Sequence, residues 1–212
     1  MLALCEEMLL LTIHDDQGAY RRDSLNDYFY LVSAAILYDF ALRQMISLNN
    51  SADIVPSESE ATGHSVLDGV FNRIVAQQTA SSLIFWINEL TESNKFKNEF
   101  LHHLLEREII EQDSQRLFGL FPYSTYPAKN LSVGQELRSR LNRAVTENQI
   151  VDERTVALLT LMRPTPVIRT LFPDNAAVVS ERVRQWMHYN GRNPRTTHFL
   201  LSTAEAISLW YT

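Results

Sequence analysis

The sequence predicts a mainly α-helical protein, a compact multi-helix single domain with one β-hairpin. The length of 212 residues fits one domain over residues 1–212, and a hydrophobic content of 45% suits an ordinary globular core. Only six glycines and seven prolines are present, which favours helices over a turn-rich β-sandwich. Apolar residues recur at helical spacing along most of the chain, and this alternation argues against a parallel βαβ fold.

The first predicted element is the short apolar run over residues 8–13, which an acidic turn ending at Gly18 follows. The run is too short to cross a bilayer, since a membrane helix needs about 20 residues. A secretory signal would begin with basic residues, but the first basic residue is Arg21. We therefore expect a buried strand or short helix that leads into a turn, and no targeting segment.

The next predicted element is a central helix over residues 26–47, buried on most sides, because apolar residues recur there every three or four positions. Residues 48–64 are polar and predict a flexible loop. We expect Ser65 and Thr79 to cap the two following helices, and Ser202 with Glu205 to form a capping box. Further helices are predicted over residues 95–107, 132–148, 152–163, 174–189 and 202–211.

The helical spacing breaks between residues 109 and 127, where we predict the β-hairpin. Its strands are expected at Ile109 and Ile110 and at residues 117–121, with the polar residues 112–114 as the turn. The segment is rich in aromatic residues. Phe118, Phe121, Tyr123 and Tyr126 could form an apolar contact patch or could pack onto their own helices.

Charge is unevenly distributed along the chain, whose net charge is −6. Residues 1–72 hold eleven acidic and three basic residues, whereas residues 138–195 hold ten arginines and five acids. These arginines could face an anionic surface, or they could pair locally on solvated helix faces. The single cysteine, Cys5, excludes an intrachain disulfide framework, which favours a cytoplasmic location.

Enzyme motifs are missing from the sequence, which has no phosphate-binding glycine loop, no GxSxG and no CxxC. His102 and His103 are adjacent on a predicted helix and diverge, so we expect one at the core edge and one in solvent. His102 and Glu106 have metal-ligand spacing but lack a third ligand. The remaining histidines form no recognisable set. We therefore predict a non-enzymatic protein without a metal or cofactor.

A series of motifs lies at residues 6–18, 35–43, 66–70, 86–90, 104–110, 120–127 and 152–159. In their order and spacing these motifs resemble those of the Golgi phosphoprotein 3 family of peripheral membrane proteins, which bind phosphatidylinositol 4-phosphate. The resemblance covers nearly all 212 residues and is closest to the compact bacterial-type members. It supports the mainly helical fold with one hairpin.

The resemblance also implies a lipid site, since the family holds the head group in a shallow pocket of one tryptophan and three arginines. The tryptophan position falls at Leu25, and the first arginine position falls at Ser33 or Ala34. The other two arginine positions fall at Asn94 and Lys97. Lys97 alone keeps the charge, and Lys95, Arg21 and Arg22 lie near these positions in the sequence. The expected head-group site is therefore Lys97, Lys95, Arg21, Arg22 and Leu25.

Three functional hypotheses follow. The first is a peripheral membrane protein that binds anionic, phosphoinositide-like head groups and self-associates through the aromatic hairpin, as the resemblance implies. The second is a soluble oligomeric scaffold that has lost the lipid site. The third is a winged-helix nucleic-acid binder, which the mixed charge of residues 95–108 disfavours, so we expect no nucleic-acid partner.

Overall fold

The computed structural model describes residues 2–13, 24–117, 121–147, 151–188 and 192–211. It is 65% helical, and its described residues form ten helices and two small antiparallel sheets, which confirms the mainly α-helical fold. The helices are α1 Leu4–Ile13, α2 Ser24–Leu42, α3 Ser65–Ala76, α4 Leu83–Glu92, α5 Asn94–Glu106, α6 Leu131–Thr146, α7 Glu153–Met162, α8 Pro166–Leu171, α9 Ala176–Met187 and α10 Pro194–Ser208. The strands are β1 Ile46–Leu48, β2 Asp53–Pro56, β3 Ser81–Ser82, β4 Asp113–Leu117 and β5 Phe121–Thr125.

Helices α1 and α2 form the centre of the core. The opening apolar run is the helix α1, and every residue from 3 to 12 is buried. Residues 29–41 of α2 are also buried, which confirms a helix enclosed on most sides. Around α2 lie α1, α4, α7 and α10. A helix that is apolar on all sides needs such neighbours, because any uncovered face would expose hydrocarbon to water.

Helix α2 ends earlier than predicted. It stops at Leu42, because Gln44 adopts a left-handed backbone conformation with φ of 62°, which a right-handed helix cannot continue. The next residues form β1, which pairs antiparallel with β2, and β2 pairs in turn with β3. The expected loop over residues 48–64 therefore contains a strand. These strands of two to four residues are too short to give a recognisable period in the sequence.

The hairpin is present as β4 and β5, but the predicted register is wrong. Asp113 pairs with Thr125 and Ser114 with Ser124, so two of the three residues expected to form the turn belong to the first strand. The connection at residues 118–120 lies outside the described residues. Asp113 and Ser114 lie on exposed strand positions near the base of the hairpin, and Gln112 immediately precedes the strand.

Three predicted helix starts are displaced in the structure. The side chains of His64 and Ser82 cap α3 and α4, in place of Ser65 and Thr79. Helix α10 begins at Pro194 after the Asn193 cap, eight residues before the expected capping box. Proline at the first helical position fits because its missing N–H has no partner there in any helix.

Candidate functional site

The first turn of α5 carries the two lysines of the expected head-group site. Ser93 caps this helix by accepting a hydrogen bond from the Phe96 N–H. The Lys95 side chain is 85% exposed, and its Nζ lies 3.8 Å from a carboxylate oxygen of Glu99. An exposed pair of this kind contributes little to stability, so Lys95 can exchange Glu99 for another anion.

Lys97 is half-buried and joins α5 to α2. Its Nζ lies 5.3 Å from the centre of the Phe29 ring, a cation–π contact. Phe29 packs edge-on against Phe96, with ring centres 5.9 Å apart. The first turn of α5 therefore lies against the second turn of α2, and Lys97 is near the amino-terminal end of α2.

A second polar group surrounds Glu6, whose side chain is completely buried in α1. Its Oε2 accepts the Ala3 N–H at 2.6 Å, so Glu6 satisfies an otherwise unpaired donor at the start of the helix. The same oxygen lies 3.3 Å from the Arg107 guanidinium, just after α5. A buried carboxylate requires such partners, because its desolvation would otherwise be very unfavourable.

Two histidines approach the other oxygen of Glu6. Its Oε1 lies 3.1 Å from Nε2 of His103 on α5 and 3.5 Å from Nε2 of His64, the cap of α3. Burial alone would raise the pKa of Glu6, but the proximity of His64, the hydrogen bond from the Ala3 N–H and the nearby His103 lower it. Burial lowers the pKa of His103, and this effect outweighs the opposing attraction of Glu6.

Glu7 projects toward different helices. Its two carboxylate oxygens accept a bidentate pair of hydrogen bonds from Arg140 of α6, at 3.1 and 2.9 Å. Arg154 of α7 lies 3.2 Å from Glu7 and also donates to the Leu2 carbonyl at 2.7 Å. The two acids of α1 therefore connect it to α3 and α5 on one side and to α6 and α7 on the other.

The structure separates the adjacent histidines as expected. His102 is exposed and lies 3.5 Å from Glu106, whereas His103 lies at the core edge. The expectation that the other histidines form no set does not hold for His64, whose ring centre is 4.3 Å from that of His103. Only the packing of α1, α3 and α5 brings these residues together, and their spacing along the chain does not indicate this contact.

The amino-acid sequence matches the profile of a known protein family. Residues 4–198 match the profile described as Golgi phosphoprotein 3 (GPP34). The chain belongs to the Golgi phosphoprotein 3 family. This confirms the resemblance, and the match spans α1 to the first turns of α10. Within the part of this family member that the structure describes, no helix is both long and apolar enough to cross a membrane.

The positions that the resemblance assigned to the family's head-group pocket differ in their surroundings. Ser33 and Ala34 are fully buried, and the Ser33 hydroxyl lies 3.0 Å from the Thr91 hydroxyl, where it joins α2 to α4. Asn94 is exposed at the start of α5. Leu25 lies in the first turn of α2 and not before the helix. Its side chain, together with Arg21 and Arg22, lies outside the described residues.

The hairpin residues of this family member are described only in part. Tyr126 follows β5 and is half-buried against the core. Phe121 and Tyr123 belong to β5, but their side chains lie outside the described part, as does the whole of Phe118. The aromatic contact patch at the hairpin therefore stays a prediction.

Proposed function

We propose that this protein is a non-enzymatic peripheral membrane protein that docks on anionic, phosphoinositide-like phospholipid head groups through the first turn of α5. Membership of the Golgi phosphoprotein 3 family supports the general role. The specific support is the position of Lys97, which lies on Phe29 of α2. The segment before α2 contains Arg21 and Arg22, only a few residues from Ser24, so further positive charge is close in sequence.

The helix terminus adds to the attraction for phosphate. The first N–H groups of a helix lack carbonyl partners and carry a partial positive charge, which favours anions. Lys95 and Lys97 lie within that same first turn of α5. Because the proposed site uses lysines and not three guanidinium forks, we expect it to bind mainly by charge and with modest head-group selectivity.

Charge reversal tests the site directly. Each basic residue near an anionic membrane contributes roughly 1 kcal/mol. Loss of two lysine charges should therefore weaken vesicle binding by about 2 kcal/mol, or about thirtyfold, and the new acidic charges should weaken it further. The measurement is sedimentation of Lys95→Glu/Lys97→Glu with phosphatidylserine vesicles at low salt.

Lys129→Glu is the matched control. Lys129 pairs with Glu108 at 2.9 Å, beyond the other end of α5. The two ends of this 13-residue helix are roughly 20 Å apart. Lys129→Glu should therefore keep most of the binding. Undiminished binding of the double variant, or equal loss in the control, would show that lipid does not dock at the first turn of α5.

The hairpin supports a second candidate function, self-association as an oligomeric scaffold. Within the described residues, β4 and β5 pair with each other and with no other strand, so each leaves an open edge. Unpaired edges can pair with strands of a second chain. We expect Phe118→Asp to dissociate such an oligomer in analytical ultracentrifugation. Phe85→Asp, which alters an exposed aromatic residue of α4, should leave it intact.

A further inference from the structure

The group formed by Glu6, His64 and His103 has the composition and geometry of a metal site. We propose that it binds a divalent transition-metal ion of the zinc type through Glu6 Oε1 and the Nε2 atoms of the two histidines. These three atoms all lie within 4.8 Å of one another. This inference is independent of the proposed lipid function.

Two of the three distances between the proposed ligand atoms are close to those of tetrahedral coordination. Zinc binds histidine nitrogen and carboxylate oxygen at about 2.0–2.2 Å, so two ligand atoms of a tetrahedral site are about 3.3–3.5 Å apart. Glu6 Oε1 is 3.5 Å from His64 Nε2 and 3.1 Å from His103 Nε2. The two histidine nitrogens lie within 4.8 Å of each other, so an ion bound by all three atoms would require side-chain shifts of up to about 1 Å.

The hydrogen bonds leave the proposed ligand atoms available. Glu6 Oε1 and His64 Nε2 are both buried, and neither makes a hydrogen bond of good geometry with the described residues. The second oxygen of Glu6 takes the Ala3 N–H and Arg107 instead. Outer contacts of this kind orient a carboxylate toward a metal and hold it there.

The site has a route for the ion and space for a fourth ligand. The His103 side chain is 25% exposed and borders a cleft of about 510 Å³ between α3 and α5. Water from this cleft could complete the coordination. Two imidazoles and one carboxylate favour zinc and similar transition metals over magnesium or calcium, which prefer oxygen ligands alone.

Two neighbouring groups limit the affinity. Arg107 places a positive charge beside Glu6, which opposes a second cation. His64 Nδ1 accepts a long hydrogen bond of 3.4 Å from the Leu67 N–H, and metal bound at Nε2 would place a proton on Nδ1. Binding therefore gives up this cap contact of α3, and we expect weaker binding than at a closed structural zinc site.

The test is calorimetric titration of the metal-free full chain, without a histidine tag, with zinc and separately with magnesium. Cobalt absorption provides a second readout, because tetrahedral cobalt absorbs visible light strongly. We expect one zinc ion per chain, no magnesium binding, and an intense cobalt spectrum. His103→Ala should weaken zinc binding at least tenfold, since even loss of an outer-shell contact costs 10–100-fold.

His102→Ala is the matched control, because it removes the adjacent, exposed histidine of the same helix. The His102→Ala variant should keep full affinity for zinc. Zinc should raise the thermal unfolding midpoint of His102→Ala but not that of His103→Ala. Glu6→Gln, which keeps the shape of the side chain, should also lose the site. The absence of saturable zinc binding, or equal affinity in the two histidine variants, would overturn the proposal.

Discussion

The buried ion pair between Glu7 and Arg140 offers a sharp test of what holds α1 in place. Glu7→Gln keeps the side-chain shape but removes the charge that two arginines share. The Glu7 side chain is only 7% exposed, whereas those of Arg140 and Arg154 are 32% and 18% exposed. Truncating one partner of a fully buried pair destabilises a protein by about 3–5 kcal/mol. Since the side chains of both arginines are partly exposed to water, we expect a smaller loss of about 2–3 kcal/mol.

Urea denaturation measures this loss. With a slope of about 2–3 kcal/mol per molar urea, the unfolding midpoint should fall by roughly 1 M. Glu181→Gln is the matched control, because Glu181 pairs with Arg184 on the surface of α9. It should change the free energy of unfolding by less than about 1 kcal/mol. Equal effects of the two variants, or a loss below about 0.5 kcal/mol for Glu7→Gln, would refute the structural role of the buried pair.

Three further predictions concern single side chains. Leu158→Ala, at a fully buried position of α7, should lower the free energy of unfolding by about 2–5 kcal/mol in urea titration. Asp152→Ala removes the α7 cap and should destabilise by about 1 kcal/mol at pH 7. Burial alone would raise the pKa of Asp152, but hydrogen bonds from Thr155 and the charge of Arg140 lower it in the folded state. The stabilising effect of Asp152 is therefore complete above its unfolded pKa of about 3.9, and it is lost as the pH falls through the lower pKa of the folded state. Urea titrations from pH 7 to pH 2 would detect this loss of stability. Cys5 is fully buried and burial raises the pKa of its thiol, so a thiol reagent should label it only after unfolding.

The strongest sequence predictions came from long apolar patterns. The mostly apolar character of α2 predicted its burial, because a helix that is apolar on most sides must lie inside the core. The mainly helical fold followed from the same signal repeated along the chain. Helix ends were harder to predict, because several residues near each start could act as the cap. At α3 the capping residue is His64 and not Ser65.

Local patterns also misplaced the hairpin register. Asp113 and Ser114 have turn-forming side chains, but tertiary structure makes them an exposed strand paired with β5. The short strands β1 to β3 gave no periodic signal at all. Such elements depend on partners that are distant in the sequence, so neighbouring residues do not determine them.

The candidate sites differ in how far the sequence could predict them. Lys95 and Lys97 are two residues apart, and the family resemblance indicated both before the structure placed Lys97 on Phe29. Glu6, His64 and His103 come from three helical regions that only folding brings together. The sequence also does not show that Glu6 and Glu7 contact helices on opposite sides of α1. The helices that each side chain contacts depend on how α1 is rotated within the core.

Vesicle sedimentation of the unmodified chain tests lipid docking most directly. Three vesicles of phosphatidylcholine should be compared at low salt, one without additions, one with phosphatidylinositol 4-phosphate and one with phosphatidylserine at equal charge. Docking through α5 predicts sedimentation with both anionic vesicles, little with the neutral one, and loss of binding as salt screens the charges. If the protein sediments with neither of the two anionic vesicles, a lipid-binding function is contradicted, and a scaffold that acts through the hairpin is favoured.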